Sequence, residues 1–168
     1  CNADLSSFYF DIRKDRLYCD ALDAPERKAC LTVMAHIFEC LTAWLAPVLV
    51  FTAEEAWQHR PAGLFEDVPS IHLREFKAIP DNWLNDELAK KWTHVQSVRE
   101  VVNAALEPHR KDKTIGSSLE ASPVVTLPQE MMKALENVDL AEVCITSALQ
   151  IQPGDALNVS FKKSQGQK

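Results

Sequence analysis

Leu84, Leu88, Trp92, Val95, Val98, Val102 and Leu106 recur at steps of three and four residues. That spacing keeps them on one face of a helix and predicts a single long helix from about Trp83 to Leu106. A second stripe, Leu31, Met34, Phe38, Leu41, Leu45 and Val48, predicts another helix after Asp23-Ala24-Pro25-Glu26. There Asp23 is the expected cap, Pro25 suits the first turn, and Ala46-Pro47 should end or kink the helix. Leu5, Phe8, Tyr9 and Ile12 give a first helical segment from Asp4 to about Cys19. Thr52-Ala53-Glu54-Glu55 reads as a capping box opening a short helix through Trp57 and His59. Striped helices joined by short links pack as an antiparallel bundle.

The period changes after Gly116. Pro123 to Leu127 is a strand candidate, and Gln129 to Glu136 reads as a short helix. Glu142 to Ile151 is rich in β-branched residues and is expected as strand. Pro153-Gly154-Asp155 is a turn, after which Leu157, Val159 and Phe161 alternate with polar residues as in a half-buried strand. Between the helices, Pro61 to Pro80 is a connection in which Ile71, Leu73 and Phe76 hint at a short extended piece. The expected fold is mainly α: a helix bundle over residues 1–116, then a small α/β subdomain over 117–168.

A chain of 168 residues can bury a sizeable core without disulfides or metals. Its net charge of -6 excludes nucleic-acid binding through overall charge, so any such binding needs a local basic patch. Five cysteines, Cys1, Cys19, Cys30, Cys40 and Cys144, form no Cys-x-x-Cys pair. They imply reduced thiols and a cytoplasmic protein. No apolar run is expected to reach the ~20 residues of a membrane span. Because it opens at Cys1, inside a helical pattern, the chain is expected to be a fragment of a longer protein.

Catalysis and metal binding need side chains that converge. Glu55 and His59 are one helical turn apart, but the second histidine of a metalloprotease helix is missing. Lys113-Thr114-Ile115-Gly116-Ser117-Ser118 has the residue types of a P-loop in the wrong order, and a helix leads into it. Serines near a lone His109 give no nucleophile-triad signal, and Glu54, Glu55, Glu66 and Asp67 read as a solvated acidic surface. No catalytic residue, metal site or cofactor site is expected. Three clusters are locally positive: Arg13-Lys14-Asp15-Arg16, His109-Arg110-Lys111-Asp112-Lys113, and Lys162-Lys163 with Lys168. Each alone reads as ordinary surface; together on one side they would form a phosphate-contacting track.

Three stretches carry a family resemblance. Asp4-Leu5-Ser6-Ser7-Phe8-Tyr9-Phe10-Asp11-Ile12-Arg13-Lys14-Asp15-Arg16-Leu17-Tyr18 resembles the opening of the anticodon-binding bundle of isoleucyl-tRNA synthetases. Leu45 to Trp57, with Pro47 and Thr52-Ala53-Glu54-Glu55, is similar to the next landmark of that family. Lys113 to Ala121, with Arg110 upstream, is similar to a third, more particular to the isoleucyl enzymes than to their valyl, leucyl and methionyl relatives. The resemblance covers essentially the whole chain.

It implies the anticodon-recognition part of an isoleucine–tRNA ligase, lacking the catalytic and editing domains and therefore inactive in aminoacylation by itself. Its partners would be isoleucine tRNA and the rest of a monomeric synthetase, with no membrane. The parent would use ATP and Mg²⁺, and a zinc site would follow Lys168. The residues expected to touch tRNA are Arg13, Arg16 and Lys14, then Arg110, Lys111 and Lys113, with Lys162 and Lys163. Arg13 and Arg16 should share a helix face, Lys14 should point to solvent, and Gly116 should form the turn between subdomains. A helical protein-interaction module, the same fragment of a valyl, leucyl or methionyl relative, and a catalytic fragment with an unrecognised site stay open as alternatives.

Overall fold

The computed structural model describes residues 2–65 and 68–164, so Cys1, Glu66, Asp67 and Lys168 lie outside the described residues. Two compact units result, Cys1–Trp83 and Leu84–Lys168. They differ from the division expected at residue 116, because the long helix of the bundle pattern packs on the sheet that follows it.

The first unit opens with wide π-helical turns over Asn2–Phe10. A short α1 (Lys14–Tyr18) follows. Its principal helix is α2 (Pro25–Leu45), followed by α3 (Val50–Gln58). The cap of α2 is Ala24, not Asp23, and it offers no side-chain bond. Pro25 sits in the first turn, and the residue before a proline is pushed to extended backbone, here φ −58° and ψ 130°. Helix α3 starts at Val50, so Thr52 lies inside it and makes no capping box. Helix α2 ends at Leu45 as expected.

The apolar stripe of α2 is less buried than its spacing predicts: Leu31, Leu45 and Val48 are exposed. Its buried residues are instead Cys30, Glu39, Thr42 and Ala43. Ala43, Ala46, Ala53, Trp57 and Ile71 form the core, with Phe38, Phe65 and Val68 against it. Trp57 is fully buried. Its indole N–H donates to the Val68 carbonyl at 2.9 Å. The guanidinium of Arg60 lies 4.2 Å from the ring centroid and that of Arg74 4.9 Å.

Residues 68–77 form a strap along α2 and α3. Ser70 and the Ile71 amide donate to the Glu54 carboxylate at 2.7 and 3.0 Å. Arg74 and Lys77 reach Glu39 at 2.7 and 2.6 Å. The strap is not the extended piece expected: Ile71–Leu73 is one 3₁₀ turn. Only Ile71 of the three apolar residues is buried, while Leu73 and Phe76 are exposed.

By length and composition α2 could cross a membrane, with 21 residues and a mean hydropathy of 1.2, contrary to the sequence expectation. Its Glu39, bonded to two cations of the strap, is placed for packing within a folded unit.

The second unit is built on α4 (Asp86–Lys111). Asn85 caps it, accepting from the Leu88 amide at 2.9 Å. Asp86 and Glu87 occupy its first turn and His109, Arg110 and Lys111 its last, both complementing the helix dipole. Val95, Val98, Val102 and Leu106 are fully buried, whereas Leu84 and Leu88 are exposed. Burying a side chain of this kind is worth about 1.5–3 kcal/mol, so these four anchor the unit.

A three-stranded mixed sheet follows, with β1 (Val124–Leu127) in the centre. Between β1 and β2 come α5 (Gln129–Ala134) and α6 (Leu140–Cys144). Strand β2 (Gln150–Pro153) runs parallel to β1, and β3 (Asn158–Ser160) antiparallel. Val125 and Leu127 of β1 face the core. The strand expected over 142–151 is therefore wrong in its first half. Asp139 caps α6 by accepting from the Glu142 amide at 3.0 Å. Ile145 ends the helix in the left-handed region at φ 54°. A good local cap outweighs the weak strand preference of Val143 and Ile145.

Candidate nucleic-acid interface

The sequence places five cations at two separate points of the second unit, and the fold joins those points. Helix α4 ends at Lys111 with Asp112 as its C-cap, after which Lys113 turns the chain with φ 63°. The left-handed residue is thus Lys113 and not Gly116, which has no positive φ. The Asp112 carboxylate accepts from the Thr114 amide at 2.8 Å. Bonds from the Thr114 hydroxyl and amide hold the Asp112 carboxyl below its usual range, with a smaller pull from His109. Ile115 is buried. Its amide reaches back to the His109 carbonyl at 3.1 Å. Arg110 bonds to the buried Ser118 hydroxyl.

The segment after β3 returns to this turn. The Ser122 amide donates to the Lys162 carbonyl at 2.8 Å, and Ser164 to Glu120 at 2.7 Å. Ala121 and Lys163 pair as an antiparallel bridge. The Lys163 ammonium then donates to the Thr114 carbonyl at 3.0 Å. Phe161 stacks on His109 with centroids 3.7 Å apart and planes 21° from parallel. Arg110, Lys111, Lys113 and Lys163 therefore belong to one corner. Strand alternation puts Lys162 on the face opposite Phe161 and Lys163. The corner is locally cationic although Glu107, Asp112 and Glu120 temper it: Lys111 is 3.7 Å from Glu107.

The first cluster lies in the other unit and is more engaged with its neighbours. Arg13 is the N-cap of α1, at φ −96° and ψ 0°, and its carbonyl accepts from the Leu17 amide at 3.1 Å. Its guanidinium is 5.9 Å from the Tyr9 ring centroid. Tyr9 is pushed up to about 12, chiefly by burial and then by its bond to Cys30. Arg16 pairs with Asp20 at 3.5 Å. Lys14 is exposed as expected, yet pairs with Asp11 at 2.9 Å, which raises its pKa.

The remaining motifs resolve as ordinary structure. The His59 ring meets the Glu55 backbone carbonyl at 2.8 Å, a helix-end contact. Helix α4 leads into Lys113-Thr114-Ile115-Gly116, and only a 3₁₀ turn, Ser118–Glu120, follows, so no phosphate cradle opens a helix there. Cys19, Cys30, Cys40 and Cys144 are free thiols. Among the described residues no three His, Cys, Asp or Glu side chains gather as a metal site would need. Sequence reasoning missed Phe161, Ser118 and Thr114 as organisers of the corner; the hydrophobic alternation placed Phe161 inward without saying against what.

Residues 1–125 match the model of a protein family described as the anticodon-binding domain of tRNA ligase. The chain belongs to that family. As an anticodon-binding domain it is a tRNA-binding module. It is 52% identical over 151 residues to an isoleucine–tRNA ligase of Agrobacterium fabrum, covering 89% of the chain and 15% of that protein. Isoleucine–tRNA ligases of Bartonella henselae and Mesorhizobium japonicum are 51% and 52% identical over 90% and 94% of the chain, covering 15% and 16% of those proteins. The chain thus spans about 15% of the length of the relatives it matches. The match to the anticodon-binding family runs through α4 and its terminal turn and into β1, so the cationic corner begins within the matched region.

Proposed function

We propose that this anticodon-binding domain recognises the anticodon stem-loop of isoleucine tRNA as part of an isoleucine–tRNA ligase. The observation that carries the specificity is the identity of about half to isoleucine–tRNA ligases over nine-tenths of the chain. An anticodon loop is single-stranded, so a protein reads it by contacting phosphates and by stacking on or pairing with splayed bases. Arg110, Lys111, Lys113 and Lys163 supply the phosphate contacts in this reading. Arg13 and Arg16 supply weaker ones, because Arg13 packs on Tyr9 and Arg16 is held by Asp20. Lys14 and Lys162 lie at the margin.

Aminoacylation, ATP and Mg²⁺ belong in this reading to the rest of a monomeric cytoplasmic ligase, and a zinc site to sequence after Lys168. The chain alone is expected to support no isoleucine-dependent pyrophosphate exchange.

The test is a titration of the chain with isoleucine and valine tRNAs over a salt series. Tighter binding of isoleucine tRNA, with affinity falling as salt rises, is expected. Each lost phosphate contact on a single strand should flatten the log–log slope by about 0.7. Arg110→Ala and Lys111→Ala should each flatten it with little change in unfolding midpoint. Equal affinity for both tRNAs would reject isoleucine specificity, and a slope untouched by the substitutions would reject the cationic corner.

A further inference from the structure

We infer that Phe161 is a positioning residue for tRNA binding: its stack on His109 holds Lys163 against the end of α4, so that Lys163 acts with Arg110 and Lys113 as one phosphate-binding surface. The inference rests on the reading of that corner as the tRNA contact.

Strand β3 has three residues and, among the described residues, pairs with β1 alone at the edge of the sheet. A three-residue antiparallel ladder at a sheet edge is a weak tether by itself. Lys163 lies beyond the end of that strand, fixed by one bridge to Ala121 and flanking backbone bonds. Phe161, the first residue past β3, is half-buried, and its ring lies nearly parallel to the His109 imidazole at 3.7 Å. His109 belongs to the last turn of α4 and immediately precedes Arg110. The stack therefore ties the segment to the same helical turn that carries the other cations.

Side chains two apart on an extended chain share a face. Phe161 and Lys163 do so, and both reach the end of α4: one meets His109, the other the Thr114 carbonyl at 3.0 Å. That bond uses one of three ammonium donors and leaves two for phosphate oxygens. A long, flexible lysine loses much rotamer freedom on binding. Anchoring it beforehand, through a rigid aromatic with two torsions, removes part of that cost. The stack thus contributes to affinity although the ring itself need not touch RNA.

The experiment measures tRNA affinity over a salt series for the full chain and for Phe161→Leu, Phe161→Tyr, Lys163→Ala and the Phe161→Leu/Lys163→Ala pair, with an unfolding midpoint for each. Lys163→Ala is expected to flatten the slope by about 0.7. Phe161→Leu should flatten it by the same amount while keeping the apolar volume, and Phe161→Tyr should restore it. The double variant should lose no more than either single one. Additive losses in the double variant, or a Phe161→Leu protein with a lowered midpoint and an unchanged slope, would overturn the positioning role. A Lys163→Ala protein with an unchanged slope would overturn it too, by removing Lys163 from the phosphate surface, while the slopes of Arg110→Ala and Lys111→Ala still decide the corner separately.

Discussion

Glu39 in α2 and Arg74 in the strap meet at 2.7 Å, with side chains only 7% and 11% exposed. One Arg74 nitrogen, Nη1, is buried without a hydrogen-bond partner, so the guanidinium depends on Glu39 for much of its compensation. Removing one partner of a buried pair leaves the other charge stranded and costs about 3–5 kcal/mol. Glu39→Leu is expected to lose stability in that range by urea unfolding. Glu39→Leu with Arg74→Leu should recover most of it, because a neutral pair strands no charge. Lys77 is 41% exposed, and Lys77→Ala should cost under about 1 kcal/mol.

The same carboxylate sets an acid limit. Burial pushes the Glu39 pKa up, but Lys77 and Arg74 more than reverse this and hold it below its ordinary 4.5. The folded value being the lower, the unfolded chain takes up the proton more readily. The stabilisation is complete above pH 4.5 and is lost as the pH falls through the folded value. The unfolding midpoint should therefore drop on acidification below that pH, and the drop should be shallower in Glu39→Gln. Equal slopes in the two proteins would assign the acid loss elsewhere.

How legible these features were depends on the range over which they are decided. Val95, Val98, Val102 and Leu106 announce their helix because a periodic stripe is a local signal, and β1 and β3 were readable for the same reason. Glu39 gave no such signal. Its burial needs Arg74 and Lys77, thirty-five and thirty-eight residues away, to arrive on the strap. Helix α6 was misread because Asp139 and the left-handed Ile145 bound a five-residue helix in a β-branched stretch. The basic run at 110–113 was visible in the sequence, and its connection to Lys163 was not. That connection follows from the pairing of β3 with β1, a non-local choice.

The thiols should differ sharply in reactivity. The thiolate is the nucleophile, so burial suppresses reaction by blocking access and by disfavouring ionisation. Burial pushes Cys144 up to about 12, opposed only by Arg99. Cys30 and Cys144 are 5% and 2% exposed, whereas Cys19 lies at the surface. Among the four described cysteines, iodoacetamide in native buffer is expected to label Cys19 first and to spare Cys30 and Cys144 until denaturant is added. Peptide mass spectrometry over a time course reads this directly. Early labelling of Cys144 would mean that the α6 packing opens on the timescale of the reaction.

Gly154 tests the sheet. Its amide donates to the Leu127 carbonyl at 2.9 Å. A Cβ there would stand 2.1 Å from Cγ2 of Thr126. Its φ is not positive, so backbone conformation alone does not demand glycine. At such a position alanine ordinarily stabilises a protein by about 0.4–1 kcal/mol. Here the methyl must displace a β-branched side chain held stiffly at χ1. Overpacking of this kind costs about 1–3 kcal/mol, which outweighs the entropic gain. Gly154→Ala should therefore lower the urea midpoint with little change in m, the sign of altered stability rather than altered compactness. Thr126→Ser deletes the obstructing methyl and should restore most of the loss in the double variant. If the two substitutions instead add without coupling, the cost of Gly154→Ala does not come from Thr126, and the close approach of the β2 turn to β1 is not what selects glycine at this position.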